Sequence, residues 1–449
     1  MRTPVVAIFD VGKTNKKLFL FDERYNIVFE RSARFLETED EDGDPCENLE
    51  SLRLSVFDSL HEVFRLGEFD IKAINFTSYG ASFVYLDETG RPLTPLYNYL
   101  KTYPKALEEH LHAAYGGVDN FSLATASPAL GSLNSGLQVY RIQQEKPEIY
   151  EKIKYAVHLP QYLSFLVSGK MYSDMTSIGC HTALWDFAKK DYHAWVKDTG
   201  IAKKLAPIVK GEEVFSAAFP GSTYKVGVGL HDSSSALIPY LMNFHEPFIL
   251  ISTGTWCISL NPFNDEALTK EQLDKDCLFY MTYAGTPVKA SRLFAGFEHE
   301  VQAKRIAEHF HVTTGRFKNV EIDWQIIKQL KAGKEIPTEL DAFAKVDLNQ
   351  FSSYVEAYHA FMIYLVSAQV ASTRLILAQT RIKRIFVDGG FSKNSIFMNL
   401  LAKTFDNMEI YAASMAQATA IGAALVIHEE WNSQPIPSDI VELRYFRNK

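Results

Sequence analysis

With 449 residues, the chain has room for two or three domains, and its 47% hydrophobic content supplies ordinary globular cores and excludes pervasive disorder. A formal net charge of −8 without a long Lys/Arg block argues against nucleic acid as a partner, so an anionic ligand needs a local positive site. Four cysteines, Cys46, Cys180, Cys257 and Cys277, include no close metal-type pair and are too few for a disulfide framework, which points to a reduced compartment.

The first predicted element is the apolar strand Val5–Phe9, with Asp10 directly after it and no leader-like charged and apolar regions before it. A polar turn with Gly12 leads to a second strand, Lys17–Phe21, and then a third, Ile27–Phe35. Leu49, Leu52, Val56, Leu60, Val63 and Phe64 recur at helical spacing. Ile71–Phe76 returns to strand character, Gly80 breaks it, and Asp87–Gly90 has the chemistry of a hairpin turn. Residues 103–215 read as mostly helical, punctuated by Pro147 and Gly169–Lys170. Val226–Leu230 reads as a short strand and Ser233–Leu241 as a helix start. The polar break Asn243–Pro247 is the expected boundary between domains at 1–242 and 243–449.

The second half opens as the first does: strand Phe248–Ser252, a turn at Thr253-Gly254-Thr255, and strand Trp256–Leu260. A long helical stretch, Phe351–Thr380, precedes strand Arg384–Val387, helix Asn394–Phe405, strand Met408–Ala412 and helix Gln417–Trp431. This alternation predicts an α/β fold with mixed sheets. No apolar run reaches the ~18–20 residues that span a bilayer, so a membrane is not an expected partner and a cytoplasmic location is expected.

Four segments could carry chemistry. In Asp10-Val11-Gly12-Lys13-Thr14-Asn15, a glycine lets backbone N–H groups approach an anion, while Lys13, Thr14 and Asn15 add donors. Asp10 could steady a magnesium ion through its waters, although a solvated hairpin explains the same residues. In Gly229-Leu230-His231-Asp232-Ser233, Asp232 falls at a helix start. There it is either an ordinary cap or a carboxylate kept ionised by the helix dipole and able to accept a hydroxyl proton. Ser252-Thr253-Gly254-Thr255-Trp256 suits a phosphate and equally a plain turn. In Asp388-Gly389-Gly390 the glycines leave space for a flat ring, and an ordinary strand-to-helix loop would look the same. Neither a dinucleotide Gly-x-Gly-x-x-Gly nor a Walker Gly-Lys-Ser/Thr is present. The order of the four segments wraps a nucleotide between two domains.

On these residues the chain resembles the FGGY carbohydrate kinases of the actin-like ATPase group, from about Val5 to Trp431. The stretches around His231-Asp232 and Ile251–Trp256 are similar to the rhamnulokinase and fuculokinase branch. The resemblance implies a two-domain actin-like ATPase fold with ribonuclease-H-like cores and an inter-domain nucleotide cleft. It implies ATP and Mg²⁺ as cofactors and a small sugar as substrate, a ketose such as L-rhamnulose or L-fuculose. Asp232 matches the family's catalytic base, and Asp10, with Asp232, its metal site. Gly12, Lys13, Thr14 and Asn15 match the first phosphate loop, Gly254 and Thr255 the second, and Gly389, Gly390 and Asn394 the adenosine region. Gly80, Ala81, Ser82 and His231 align with sugar contacts, and family likeness allows a homodimer. Two departures mark the sugar pocket as altered. Many relatives carry Asp-x-Arg where Tyr99-Leu100-Lys101 stands, and rhamnulokinases tend to have Asp at Ser82. A xylulokinase-like pentulose kinase and an inactive sugar-sensing protein of the same fold are the competing readings.

Overall fold

A computed structural model describes residues 2–33, 37–332, 336–377, 381–415 and 417–447. The first half is built on β1 (Thr3–Val11), β2 (Lys16–Phe21) and β3 (Ile27–Ala33), followed by α1 (Leu49–Leu66) and β4 (Phe69–Ser78). Asn48 caps α1 by accepting from the Ser51 N–H, and Gly67 ends it in the left-handed region at φ 69°. Short strands β5 (Val214–Ser216), β6 (Lys225–Gly227) and β7 (Leu230–His231) complete a sheet ordered β5-β6-β4-β1-β2-β3, with β7 on the end of β4. In this sheet β1 runs antiparallel to β2 and parallel to β4.

Helix α2 (Asp232–Asn243) crosses to the second half. That half holds β8 (Phe248–Thr253), β9 (Cys257–Asn261), β10 (Cys277–Met281), β11 (Pro287–Leu293), α3 (Ala295–His309), α4 (Tyr354–Arg374), β12 (Arg384–Gly389), α5 (Ser395–Thr404), β13 (Glu409–Ser414), α6 (Ala418–Leu425) and β14 (Glu442–Phe446). Its sheet is ordered β10-β11-β9-β8-β12-β13-β14. The central β8 is antiparallel to β9 and parallel to β12, the arrangement of β1 in the first sheet.

The period of two along β1 divides the core. Val5, Ala7 and Phe9 pack with Leu52, Val56, Leu60 and Val63 of α1. Val6 and Ile8 face the other way, into a cluster with Leu237 and Ile238 of α2, Ala420 and Ala424 of α6, and Leu250 of β8. Helices α2 and α6 are therefore apolar filler shared by the two sheets, and they bring the ends of β1 and α2 together. On the far side of the second sheet, Ile249, Ile251 and Val387 pack against α4 and α5.

The expectation of a mostly helical 103–215 is corrected. Helices Lys105–Ala114, Gly117–Thr125, Ser135–Glu145 and Leu159–Ser168 are present, but Tyr155–His158 is a strand paired with Phe83–Leu86, and Ser173–Asp174 pairs with Ile208–Val209. Strands of two to four residues formed by distant pairing carry no readable period. The helix expected over Gln417–Trp431 stops at Leu425, and the proposed ends at residues 34–35 and 378–380 lie outside the described residues. All four cysteines are buried and in no disulfide. Among the described residues no helix is long and apolar enough to cross a membrane.

Candidate active site

Asp10 lies near the end of β1, where burial, opposed by a hydrogen bond from Thr419 and reinforced by the nearby charge of Asp232, pushes its carboxyl up to about 6. Asp232 is the first residue of α2. Its Oδ1 accepts a 2.6 Å bond from the Ser233 N–H, while Oδ2 accepts none among the described residues. The Asp232 charge also acts on Tyr99 and Cys180 of the first half and on Tyr280 of the second. One carboxylate oxygen is therefore not spent on the local amide, and the charge is felt by groups of both halves.

His231 is buried beside Asp232, with Nε2 3.4 Å from Asp232 Oδ1 and 3.3 Å from Cys180 Sγ. The Tyr280 ring stacks on it at 5.8 Å. Burial lowers its pKa, so it stands neutral, and Nδ1 has no partner among the described residues. Gly80 is required where it is: a Cβ there would lie 2.6 Å from the His231 ring. Ala81 adopts φ 62°, and its carbonyl accepts from Gln138 Nε2 at 2.7 Å. Ser82 is buried next to it. Of the residues expected to contact sugar, Gly80 and His231 thus pack together beside Asp232, and Ala81 and Ser82 follow Gly80 in the chain.

In the β1–β2 turn, Thr14 and Asn15 are exposed. Lys13 is engaged: its ammonium lies 3.2 Å from Glu37, 3.5 Å from the buried Glu47, and over the Tyr79 ring at 5.9 Å. Glu47 also pairs with Lys16 at 3.1 Å. No local pattern announces Glu47, which arrives from a short strand more than thirty residues away in sequence.

The β8–β9 turn is held by backbone. Gly254 N–H donates to the Trp256 carbonyl at 2.9 Å, and the Phe297 N–H donates to the Thr255 carbonyl at 3.1 Å. A Cβ on Gly296 would lie 1.8 Å from Gly254 O, and one on Gly389 would lie 2.0 Å from Thr253 O. Thr253 Oγ1 donates to the Asp388 carbonyl at 2.5 Å and accepts from the Phe391 N–H at 3.0 Å. The start of this turn and the end of β12 at Gly389 are therefore packed backbone to backbone, with open space around Gly390. Asn394 has a different occupation: it caps α5 through the Phe397 N–H and donates to Tyr358 Oη at 2.8 Å.

Lys101 is held by carboxylates. Its amine sits among Asp40, Asp42 and Asp44 at 2.5, 2.7 and 3.2 Å. The Tyr99 ring lies 5.9 Å from that of Tyr79. Two further residues were invisible locally: Arg292, bidentate to Asp276 and stacked on Trp256, and Thr419, bonded to Asp10.

Comparison with known proteins agrees with this geometry. The N-terminal domain model of the FGGY family of carbohydrate kinases matches residues 5–238, and the carbohydrate kinase FGGY C-terminal domain model matches residues 245–435. A rhamnulokinase of Oceanobacillus iheyensis is 22% identical over 79% of this chain and 77% of its own length. One of Halalkalibacterium halodurans is 24% identical over 55% of this chain and 52% of its own. Among solved structures, a carbohydrate kinase from Novosphingobium aromaticivorans superposes with a TM-score of 0.83 at 23% identity, covering 100% of this chain and 95% of that one. A xylulose kinase from Lactobacillus acidophilus gives 0.79 at 16% identity, covering 99% and 94%. With two family models spanning nearly its whole length and the actin-like, ribonuclease-H-like architecture in place, the chain belongs to the FGGY family of carbohydrate kinases and is a phosphotransferase enzyme.

Proposed function

We propose that the enzyme transfers the terminal phosphoryl group of ATP to a hydroxyl of a small ketose, L-rhamnulose or L-fuculose being the first candidates. The similarity to rhamnulokinases supports this choice of sugar. The observation that carries the reading is Asp232: a partly exposed carboxylate at a helix start, electrostatically coupled to Asp10 and to groups of both halves. In this reading 1–242 binds the sugar and 243–449 the nucleotide.

A buried carboxylate with a second one near enough to add to its proton affinity fits a divalent cation, and Asp10 and Asp232 would hold Mg²⁺, steadied through water. Bound there, the ion would neutralise charge on the β- and γ-phosphates. The chain's own residues do the remainder. The two turns, Gly12–Asn15 and Gly254–Thr255, offer N–H and hydroxyl donors to phosphate oxygens, and Gly389-Gly390 leaves room for the adenosine. Asp232 takes the proton of the attacking hydroxyl, while neutral His231 presents a ring nitrogen to the sugar. Closure of the two halves excludes water and limits wasteful hydrolysis.

The test is ADP release measured with L-rhamnulose, L-fuculose and D-xylulose. Asp232→Asn is expected to stay folded and lower turnover at least about a hundredfold. Wild-type turnover in that variant removes Asp232 from the role. Sugar-stimulated release with D-xylulose alone would favour a pentulose kinase. No stimulation by any ketose or aldose would favour a sugar sensor, a reading kept open by the withdrawal of Lys101 into its acidic cage.

A further inference from the structure

One side chain joins the two halves at their reacting ends. Thr419, the second residue of α6, donates its hydroxyl to Asp10 Oδ2 at 2.7 Å. Its backbone carbonyl accepts a 2.7 Å bond from Ser235 Oγ. Ser235 lies on α2 three residues after Asp232, so the two share a helix face. A Cβ on Gly422 would come within 1.9 Å of the Ser235 carbonyl oxygen, so α2 and α6 meet there backbone to backbone. Asp10, Thr419, Ser235 and the start of α2 form one short connected path between the two acids.

We propose that Thr419 is a positioning residue that fixes the Asp10 carboxylate relative to the start of α2 and so sets the separation of Asp10 and Asp232. The inference rests on the kinase reading above and gives Thr419 a specific partner and task. A β-branched side chain has few χ1 choices, so its hydroxyl is already aimed. A hydroxyl–carboxylate bond is also among the stronger hydrogen bonds. Because donor and acceptor come from different halves, the bond can hold only when the halves stand in the correct relation.

Calorimetric titration of the full chain with ADP, with and without Mg²⁺, separates this role from simple packing. The wild type is expected to bind ADP more tightly with Mg²⁺ than without. Thr419→Val, close in shape, should lose at least about fivefold of that Mg²⁺-dependent gain while changing metal-free ADP affinity less than about twofold. Thr419→Ser should keep the gain. Turnover of the valine variant should fall about tenfold with the sugar KM unchanged. A valine variant with the full gain, or with equal losses in both titrations, overturns the proposal. If thermal unfolding shows that valine is not accommodated, Thr419→Ala, which adds no bulk, is read by the same criteria. Failure of the wild type to bind ADP at all would instead overturn the kinase reading, and the positioning role of Thr419 with it.

Discussion

The two turns that open the halves share a strand–turn–strand plan but are held in different ways. The Gly12–Asn15 turn sits in a charged frame, with Lys13 between Glu37 and Glu47, and Lys16 on the same buried Glu47. The Gly254–Trp256 turn sits in a backbone frame, with Gly296 and Gly389 so close that neither has space for a methyl group. Ion pairs are long-reaching and exchangeable, whereas steric contacts are short-ranged and stiff. The first turn is therefore suited to changing partners when an anion arrives, and the second to serving as a fixed floor.

The sharpest way to break the comparison is Gly389→Ala. It forces alanine into φ +92° and its Cβ to 2.0 Å from the Thr253 carbonyl. The expected loss is about 2–4 kcal/mol in urea unfolding, together with a raised ATP KM. Unchanged stability would mean that the second turn is not the stiff one.

Asp10→Asn comes next. Asp10 is shifted upward from 3.8 to about 6, mainly by burial. A folded value above the unfolded one means that its contribution is fully present below the unfolded value and is lost as pH rises through about 6. Ionised Asp10 thus costs the metal-free fold about 1–3 kcal/mol at about pH 8. The asparagine variant should be more stable by that amount at about pH 8, with the difference shrinking toward about pH 4. Denaturant unfolding at both pH values checks the sign.

The smallest stability effect belongs to Lys13→Ala. Its ammonium is partly exposed, so stability should fall by less than about 1 kcal/mol, and that difference should shrink with added salt. The ATP KM should rise all the same. A large loss of stability would make the first turn as structural as the second.

What was legible in the sequence was local. The alternation in Val5–Phe9 and Phe248–Ser252, each followed by a glycine turn, marks both central strands without any knowledge of the fold. Asp232 was legible because a strand-to-helix junction is written in neighbouring residues. Glu47, Arg292 and Thr419 were not, since each acquires its meaning from a partner placed by tertiary packing: Lys13 and Lys16, Asp276, and Asp10. Lys101 shows the limit of reading by analogy. Its position suggested a weakened sugar contact, yet three aspartates from residues 40–44 draw it elsewhere.

That withdrawal has a consequence for the segment it binds. Three carboxylates converging on one point ordinarily ask for a metal ion, and here the chain brings its own counter-ion on a flexible stem. The 40–44 segment then carries its neutralising charge within the chain, independent of the surrounding calcium or magnesium level.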